Sequence, residues 1–394
     1  MTKLKEFIES SPIISTHEHH ERDSFQQKLD LDLLFAKSYV SWCSLPGNES
    51  HEERAGWLEK IRHNSYFVWL EKALVAIYHV ERITAGNWDL LSDKIRHAHA
   101  EPAYHMAILR DKALYARFLQ DSYWDPGSDA GHPELAVPIY RTDMWLTGFH
   151  PMSSNHDQMN PHLHLGMVFR SLDEYEEALR AEITRRRSQI VALKCASAYE
   201  RGLDFAQVSK GEAAAVFGRT PAEISPAERK AFSDYIFGVT MDIVAELGLP
   251  YQIHTGLGQL RGTNPMSLEP TIAAHPEVRF ILLHGGFPWI HEATGLLHNY
   301  RNVVIDLCWL PLISTTAAIA ALHEYIEVAP SADMLTWGGD CWTSEESLGA
   351  AMAIRFVLAK VLSERVEQGY CDPKDAESMA ERIMSRNAKS VYHI

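Results

Sequence analysis

Cysteine is scarce and unpaired in this chain. Its five thiols, Cys43, Cys195, Cys308, Cys341 and Cys371, are odd in number, far apart and without any C-x-x-C pair. That argues against a disulfide framework or a cysteine-based zinc site and fits a reducing compartment. Positive charge is also short. The 37 Lys and Arg against 52 Asp and Glu leave a formal charge of 37 − 52 = −15, which repels a phosphate backbone, so no nucleic-acid partner is expected. No stretch reaches the roughly 18 apolar residues needed to span a bilayer, and the opening MTKLKEFIESSPIIS has no secretory apolar core. No membrane partner is expected, and the expected location is the cytoplasm. Repeats and low-complexity tracts are missing, as are G-x-x-x-x-G-K-[ST] and G-x-S-x-G. The glycines Gly256, Gly258 and Gly262 follow a strand pattern but miss the dinucleotide spacing by one residue, so no NAD site is expected.

What is present is a globular core in rhythmic pieces. With 46% hydrophobic and 23% charged residues in 394, the chain can bury one large domain or two smaller ones. Short β-rich apolar runs occur near residues 12–18, 117–124, 137–149, 190–198, 250–256, 279–286, 302–310 and 334–340, and helical patterns separate them from the third onward. The clearest helix begins at Ser225-Pro226-Ala227-Glu228, a capping Ser, Pro at the first helical position and Glu three residues after the cap, and it ends at Gly248. Eight strands in a βαβ rhythm predict an α/β protein, a (β/α)8 TIM barrel formed as one domain over residues 1–394. The first two strands lie about a hundred residues apart, too far for a loop, so residues 25–112 are expected to form a helical insertion capping the active site. Two closing helices are expected after Ser344.

The chemical signal begins at Ile13-Ile14-Ser15-Thr16-His17-Glu18-His19. Side chains two apart on a strand share a face, so both imidazoles can reach one ion. Other pairs carry less weight: His97 and His99 lie on a helical pattern where neighbours two apart diverge, and His150, His156, His162 and His164 read as solvated loop residues. The first pair gains weight from His254, His284 and Asp340, each ending a predicted strand. In a barrel those ends converge on one rim. Imidazoles with a carboxylate suit zinc first, with manganese or iron as alternatives.

His17-x-His19, a His after the fifth strand, a His after the sixth and an Asp after the eighth resemble the amidohydrolase superfamily over nearly the whole chain. The closing Arg386-Asn387-Ala388-Lys389-Ser390-Val391-Tyr392 is similar to the ending of the second amidohydrolase family. Residues Lys194 to Leu203 resemble a segment of amidohydrolase domains that are sometimes fused to glutamine synthetase, and the long insertion with Ile83-Thr84 and Asn87-Trp88 is similar to that group and to uronate isomerases. The resemblance implies that His17, His19, His254 and Asp340 hold a divalent ion, with Asp340 also acting as a base and His284 as a substrate-polarising group or second-metal ligand. Lys194 then decides between one ion and two, because some members carboxylate a lysine there to bridge a pair of metals. One ion per chain is the expectation, and Cys195 should face away from Lys194 by strand alternation.

The expected reaction is metal-dependent hydrolysis of an amide, C–N or ester bond in a small carboxylated metabolite. Nonoxidative decarboxylation or uronate-type isomerisation on the same site is the alternative, and a non-catalytic metal- or ligand-binding barrel is the remaining one. Arg201, Tyr199 and Arg141 are the candidates for gripping a carboxylate, and Trp309 and Trp342 for apolar walls. A small molecule is the expected partner, with self-association into a homo-oligomer left open.

Overall fold

The computed structural model describes residues 2–394. Nine short strands are all parallel: β1 (Ile13–Glu18), β2 (Tyr115–Gln120), β3 (Ala136–Pro138), β4 (Tyr140–Arg141), β5 (Leu193–Cys195), β6 (Tyr251–Ile253), β7 (Phe280–Leu282), β8 (Val303–Asp306) and β9 (Leu335–Thr336). They pair in the orders β1-β2-β3 and β4-β5-β6-β7-β8-β9. β3 and β4 are one run that changes partner at Ile139, whose N–H still bonds to the Gln120 carbonyl at 3.0 Å while the next N–H, on Tyr140, reaches Ala192 on the β5 side at 3.1 Å. Nine segments therefore make the eight strands that the sequence predicts.

Backbone hydrogen bonds also join the two outer strands. Thr16 N–H bonds to the Trp337 carbonyl at 3.1 Å, Asp340 N–H to His17 at 2.8 Å and His19 N–H to Cys341 at 2.8 Å. The edges of the sheet are thus satisfied by one another, as a barrel requires. Gly338 is what allows so close a seam, because a Cβ there would lie 2.8 Å from the His17 nitrogen and 2.9 Å from Thr16 Oγ1.

Register then decides which side chains share the interior. Arg141 pairs with Lys194, and Lys194 with Gln252, so three polar residues stand side by side on one face of neighbouring strands. Cys195 is buried on the other side of its strand, as alternation predicts.

The expected strand at 137–149 is too long. It stops at Arg141, and Asp143–Thr147 is a helix, which aims the Asp143 carboxylate at the Ala196 N–H at 2.7 Å. The helix Pro226–Leu247 forms as its signals require, with a reciprocal Ser225–Glu228 capping box and Gly248 left-handed at φ 60°.

Between β1 and β2 the chain is helical, including Leu31–Ala36, His51–Ile61, Ser65–Tyr78 and Trp88–His99. Phe35, Trp57, Phe67 and Trp88 pack into an aromatic core inside it. Tyr78 and His99 both bond to the buried Glu345 carboxylate, at 2.6 and 2.7 Å, and so anchor this segment to the long C-terminal helix Ser344–Glu367. Pro373–Glu381 and Asn387–Tyr392 follow it. No helix among the described residues is long and apolar enough to cross a membrane.

The seam yields a test. Gly338→Ala should lower stability by about 1–3 kcal/mol through overpacking, read as a drop in the urea midpoint. Gly238→Ala, in the helix Pro226–Leu247 where a Cβ meets nothing within 4 Å, should be neutral or stabilising by about 0.5–1 kcal/mol.

Candidate metal centre

The seam brings the two histidines of β1 against the aspartate that follows β9. His19 Nε2 lies 3.1 Å from Asp340 Oδ1, and His17 Nε2 lies 3.5 Å from the same oxygen. All three residues are buried.

The other ring nitrogens explain why those lone pairs converge. Gln252 donates through Nε2 to the Thr16 carbonyl at 2.8 Å and to Tyr392 Oη at 2.9 Å, which turns its Oε1 to His17 Nδ1 at 2.9 Å. That oxygen only accepts, so the His17 proton sits on Nδ1. His19 Nδ1 bonds likewise to the Asp121 carbonyl at 2.7 Å. Both Nε2 atoms are left with lone pairs aimed at Asp340, the tautomer that a metal-ligating imidazole needs. The donor set therefore fits a divalent cation.

Electrostatics keep His17 neutral and let His19 take a second proton, on Nε2, when no cation is bound. Burial, with Lys194 and His19 nearby, holds the His17 imidazole well below its ordinary pKa and keeps it neutral. Burial acts the same way on His19, but the Asp340 hydrogen bond and the Asp121 charge outweigh it and raise its pKa. Asp340 is held well below the usual carboxylate range: burial opposes this, and His19, His284 and His17 overcome it. Asp340, His284 and Trp309 also have left-handed backbones, with φ of 67°, 68° and 62°. Such strain at non-glycine residues gathers at functional sites.

The cavity over these donors has a volume of about 220 Å³ and is lined by Tyr39, Trp42, Tyr123, Lys194, Tyr199 and Trp342, among others. Lys194 is buried there, and burial together with Arg141 lowers its pKa. Trp342 stacks on His19 at 5.3 Å between ring centroids.

Several predicted residues stand elsewhere. His254 is on the cavity wall but outside the donor trio: its Nδ1 is 2.9 Å from His284 Nε2, and its Nε2 bonds to the Leu257 carbonyl. His284 is 3.9 Å from Asp340 Oδ2. Arg141 faces the cavity, yet its guanidinium is occupied by Asp121 at 2.5 Å and Asp157 at 2.8 Å, so it orients carboxylates and leaves no free fork for a substrate. Arg201 points away, pairing with Asp234 at 2.6 Å in a separate cleft beside Asp143 and Glu200. Trp309 packs behind the wall, 4.6 Å from Tyr39 and 5.2 Å from His284. His156, read from sequence as a solvated loop residue, stacks on Tyr199 at 5.2 Å at the cavity mouth. His162 is buried against the Gly148 carbonyl.

Several contributors escaped the sequence reading, Tyr123 and Asp157 of the cavity lining among them. Tyr39, in the helical segment after β1, donates its hydroxyl to Asp340 Oδ2 at 2.7 Å. Trp42 reaches the cavity from the same segment. Asp121 follows β2, with Oδ2 3.5 Å from His17 Nε2, and Gln252 lies two residues before His254 on its strand.

The model of the family described as Amidohydrolase matches residues 225–394. Protein fluG of Emericella nidulans is 30% identical over 223 residues, which cover 52% of this chain and 26% of that protein. The chain thus spans about a quarter of that relative's length. Among solved structures, a Lactobacillus casei protein described as a metal-dependent hydrolase superposes with a TM-score of 0.75 at 17% identity, covering 99% of this chain and 97% of its own. Uronate isomerase of Thermotoga maritima gives 0.75 at 14% identity over 99% and 96%. Glucuronate isomerase of Caulobacter crescentus gives 0.70 at 16% over 99% and 93%. The resemblance to amidohydrolases seen in the sequence holds, and the solved structures share this fold.

Gln252 offers the test of the preset tautomer. Gln252→Ala should weaken divalent-metal affinity by about 10–100-fold, measured by competition with a chromogenic chelator, while the far-ultraviolet circular dichroism is unchanged. Unaltered affinity would mean that Gln252 does not orient His17.

Proposed function

We propose that this protein is a metal-dependent hydrolase acting on an amide, C–N or ester bond of a small carboxylated metabolite, with His17, His19 and Asp340 holding one divalent ion, zinc by preference. The observation that carries this reading is the convergence of two imidazole lone pairs on Asp340, with Gln252 and the Asp121 carbonyl fixing the opposite nitrogens. Two neutral nitrogens and one carboxylate match the borderline ligand preference of zinc.

A divalent ion in such a site supplies Lewis acidity and lowers the pKa of water. The rest of the chemistry belongs to the chain. Asp340 is ionised and buried, so it can accept a proton from an attacking water, and Tyr39 holds its second oxygen so that the carboxylate keeps one orientation. Arg141 and Lys194 stand against Asp121, Asp157 and Asp340, so a bound divalent cation leaves the cavity at about +1 and attractive to an anion. Lys194, buried and unshielded by bulk water, then meets the substrate carboxylate or the oxyanion that develops during attack. Tyr199 and Trp342 bound the remaining space. A volume of about 220 Å³ lies below the usual range of drug-sized pockets and suits a small metabolite.

The test uses reconstituted enzyme in ¹⁸O-water with a panel of N-acyl amino acids, carboxylated lactams and carboxylated esters. Hydrolysis predicts one labelled oxygen in the product, and Asp340→Asn should lower kcat by about 10²–10⁴-fold. Release of carbon dioxide, or interconversion of the aldose and ketose forms of a uronate included in the panel, would replace hydrolysis with decarboxylation or uronate-type isomerisation at the same site.

A further inference from the structure

We propose that Asp23, His105 and His132 form a second divalent-cation site, of zinc type, that ties both ends of the helical segment between β1 and β2 to the loop between β2 and β3. The three residues come from distant places. Asp23 starts the short helix Asp23–Gln26 just beyond β1, His105 sits in Tyr104–Ala107 near the end of the helical segment, and His132 lies in the loop after β2. One donor atom from each falls within 4.8 Å of the others.

The convergence is specific. His132 Nε2 lies 2.6 Å and His105 Nε2 3.5 Å from the same oxygen, Asp23 Oδ1. The remaining His132 nitrogen faces the exposed Glu134 carboxylate at 3.4 Å. The two rings stand edge to face, 5.1 Å apart, so their nitrogens approach the oxygen from different directions. His105 Nε2 is buried and has no hydrogen-bond partner, although its side chain is 1% exposed. A buried polar atom without a partner is costly, and here it points at a carboxylate that already holds another imidazole. A cation between the three atoms satisfies all of them at once.

Distances and chemistry suit zinc. Tetrahedral bonds of 2.0–2.1 Å place donors roughly 3.3 Å apart, so His105 and Asp23 stand close to the required separation and His132 needs to withdraw by less than 1 Å. Burial lowers the His105 pKa to about 4, so this imidazole is neutral and ready to ligate at neutral pH. Asp23 is 39% exposed, which gives an ion a path in and leaves a coordination position for water.

The consequence is structural. The loop clamped by His132 also carries Tyr123, which lines the cavity over His17 and His19, and Asp23 is four residues from His19. The ion would fasten the roof and one wall of the catalytic cavity without belonging to it. The proposal does not depend on hydrolysis or on occupancy of the His17 site.

The experiment reconstitutes purified protein with zinc, removes excess by desalting and measures zinc per chain by elemental analysis. Asp23→Asn, His105→Ala and His132→Ala should each hold one equivalent less than the parent chain. His17→Ala/Asp23→Asn should hold one less than His17→Ala. Asp23→Asn changes a half-exposed side chain, so it reads the site even if a histidine variant fails to fold. Crystals grown with zinc should show an anomalous peak between the three side chains. Unchanged zinc content in Asp23→Asn, or no peak there, would overturn the proposal. Loss of zinc only in His17→Ala would do the same while leaving the central site standing.

Discussion

Everything at the centre of this molecule depends on one seam. The first strand ends in two histidines and the last is followed by an aspartate, and only sheet closure brings them together. The hydrogen bonds from Thr16 to Trp337, Asp340 to His17 and His19 to Cys341 fix the relative height of the two strands. A slip of one residue would turn His17 and His19 to the opposite face. The glycine at 338 lets the backbones approach, and the left-handed turn at Asp340 swings its carboxylate over the strand ends.

Buried carboxylates beneath the donors stiffen that seam. Asp306 accepts from Thr16 Oγ1 at 2.5 Å, Thr336 Oγ1 at 2.8 Å and the Cys308 N–H at 2.8 Å, and burial pushes its pKa up to about 6. Glu18 lies between the two histidines in sequence and points the other way. It accepts from Ser15, Tyr115 and the Cys341 N–H at 2.7–2.8 Å, with burial pushing it to about 7. Strand alternation therefore gives consecutive residues separate tasks: His17 and His19 face the site, and Glu18 holds the last strand against the first. Removing one partner of such a group leaves a buried polar atom unpaired, at a cost of about 1–3 kcal/mol.

Much of this was legible in the residues themselves. His17-x-His19 on a strand, Asp340 after the last strand and the Ser225–Gly248 helix all carry local signals, namely period-two alternation, strand-end position and capping chemistry. Gln252 was within reach of the same reasoning, because it stands two residues before His254 on one strand face, and Asp121 follows a strand end as Asp340 does. Tyr39 and Trp42 were not. They come from a helical segment whose packing over the barrel is set by contacts such as Tyr78 and His99 with Glu345, and no periodicity encodes that. Arg141 and Arg201 show the limit of reading residue type alone. A guanidinium placed near a site suggests a substrate carboxylate, but Asp121 and Asp157 occupy the first and Asp234 the second.

The chain fixes both imidazole tautomers in advance, leaving two Nε2 lone pairs for one ion. Long-range proton–nitrogen correlation spectra of protein labelled with ¹⁵N-histidine test it most directly. His17 and His19 should carry their protons on Nδ1 before zinc is added, with His19 taking a second proton only as its raised pKa is approached. On zinc addition both Nε2 resonances should move while the Nδ1 protons stay in place. An Nε2-protonated neutral tautomer at either residue, or rings that do not respond to zinc, would contradict it.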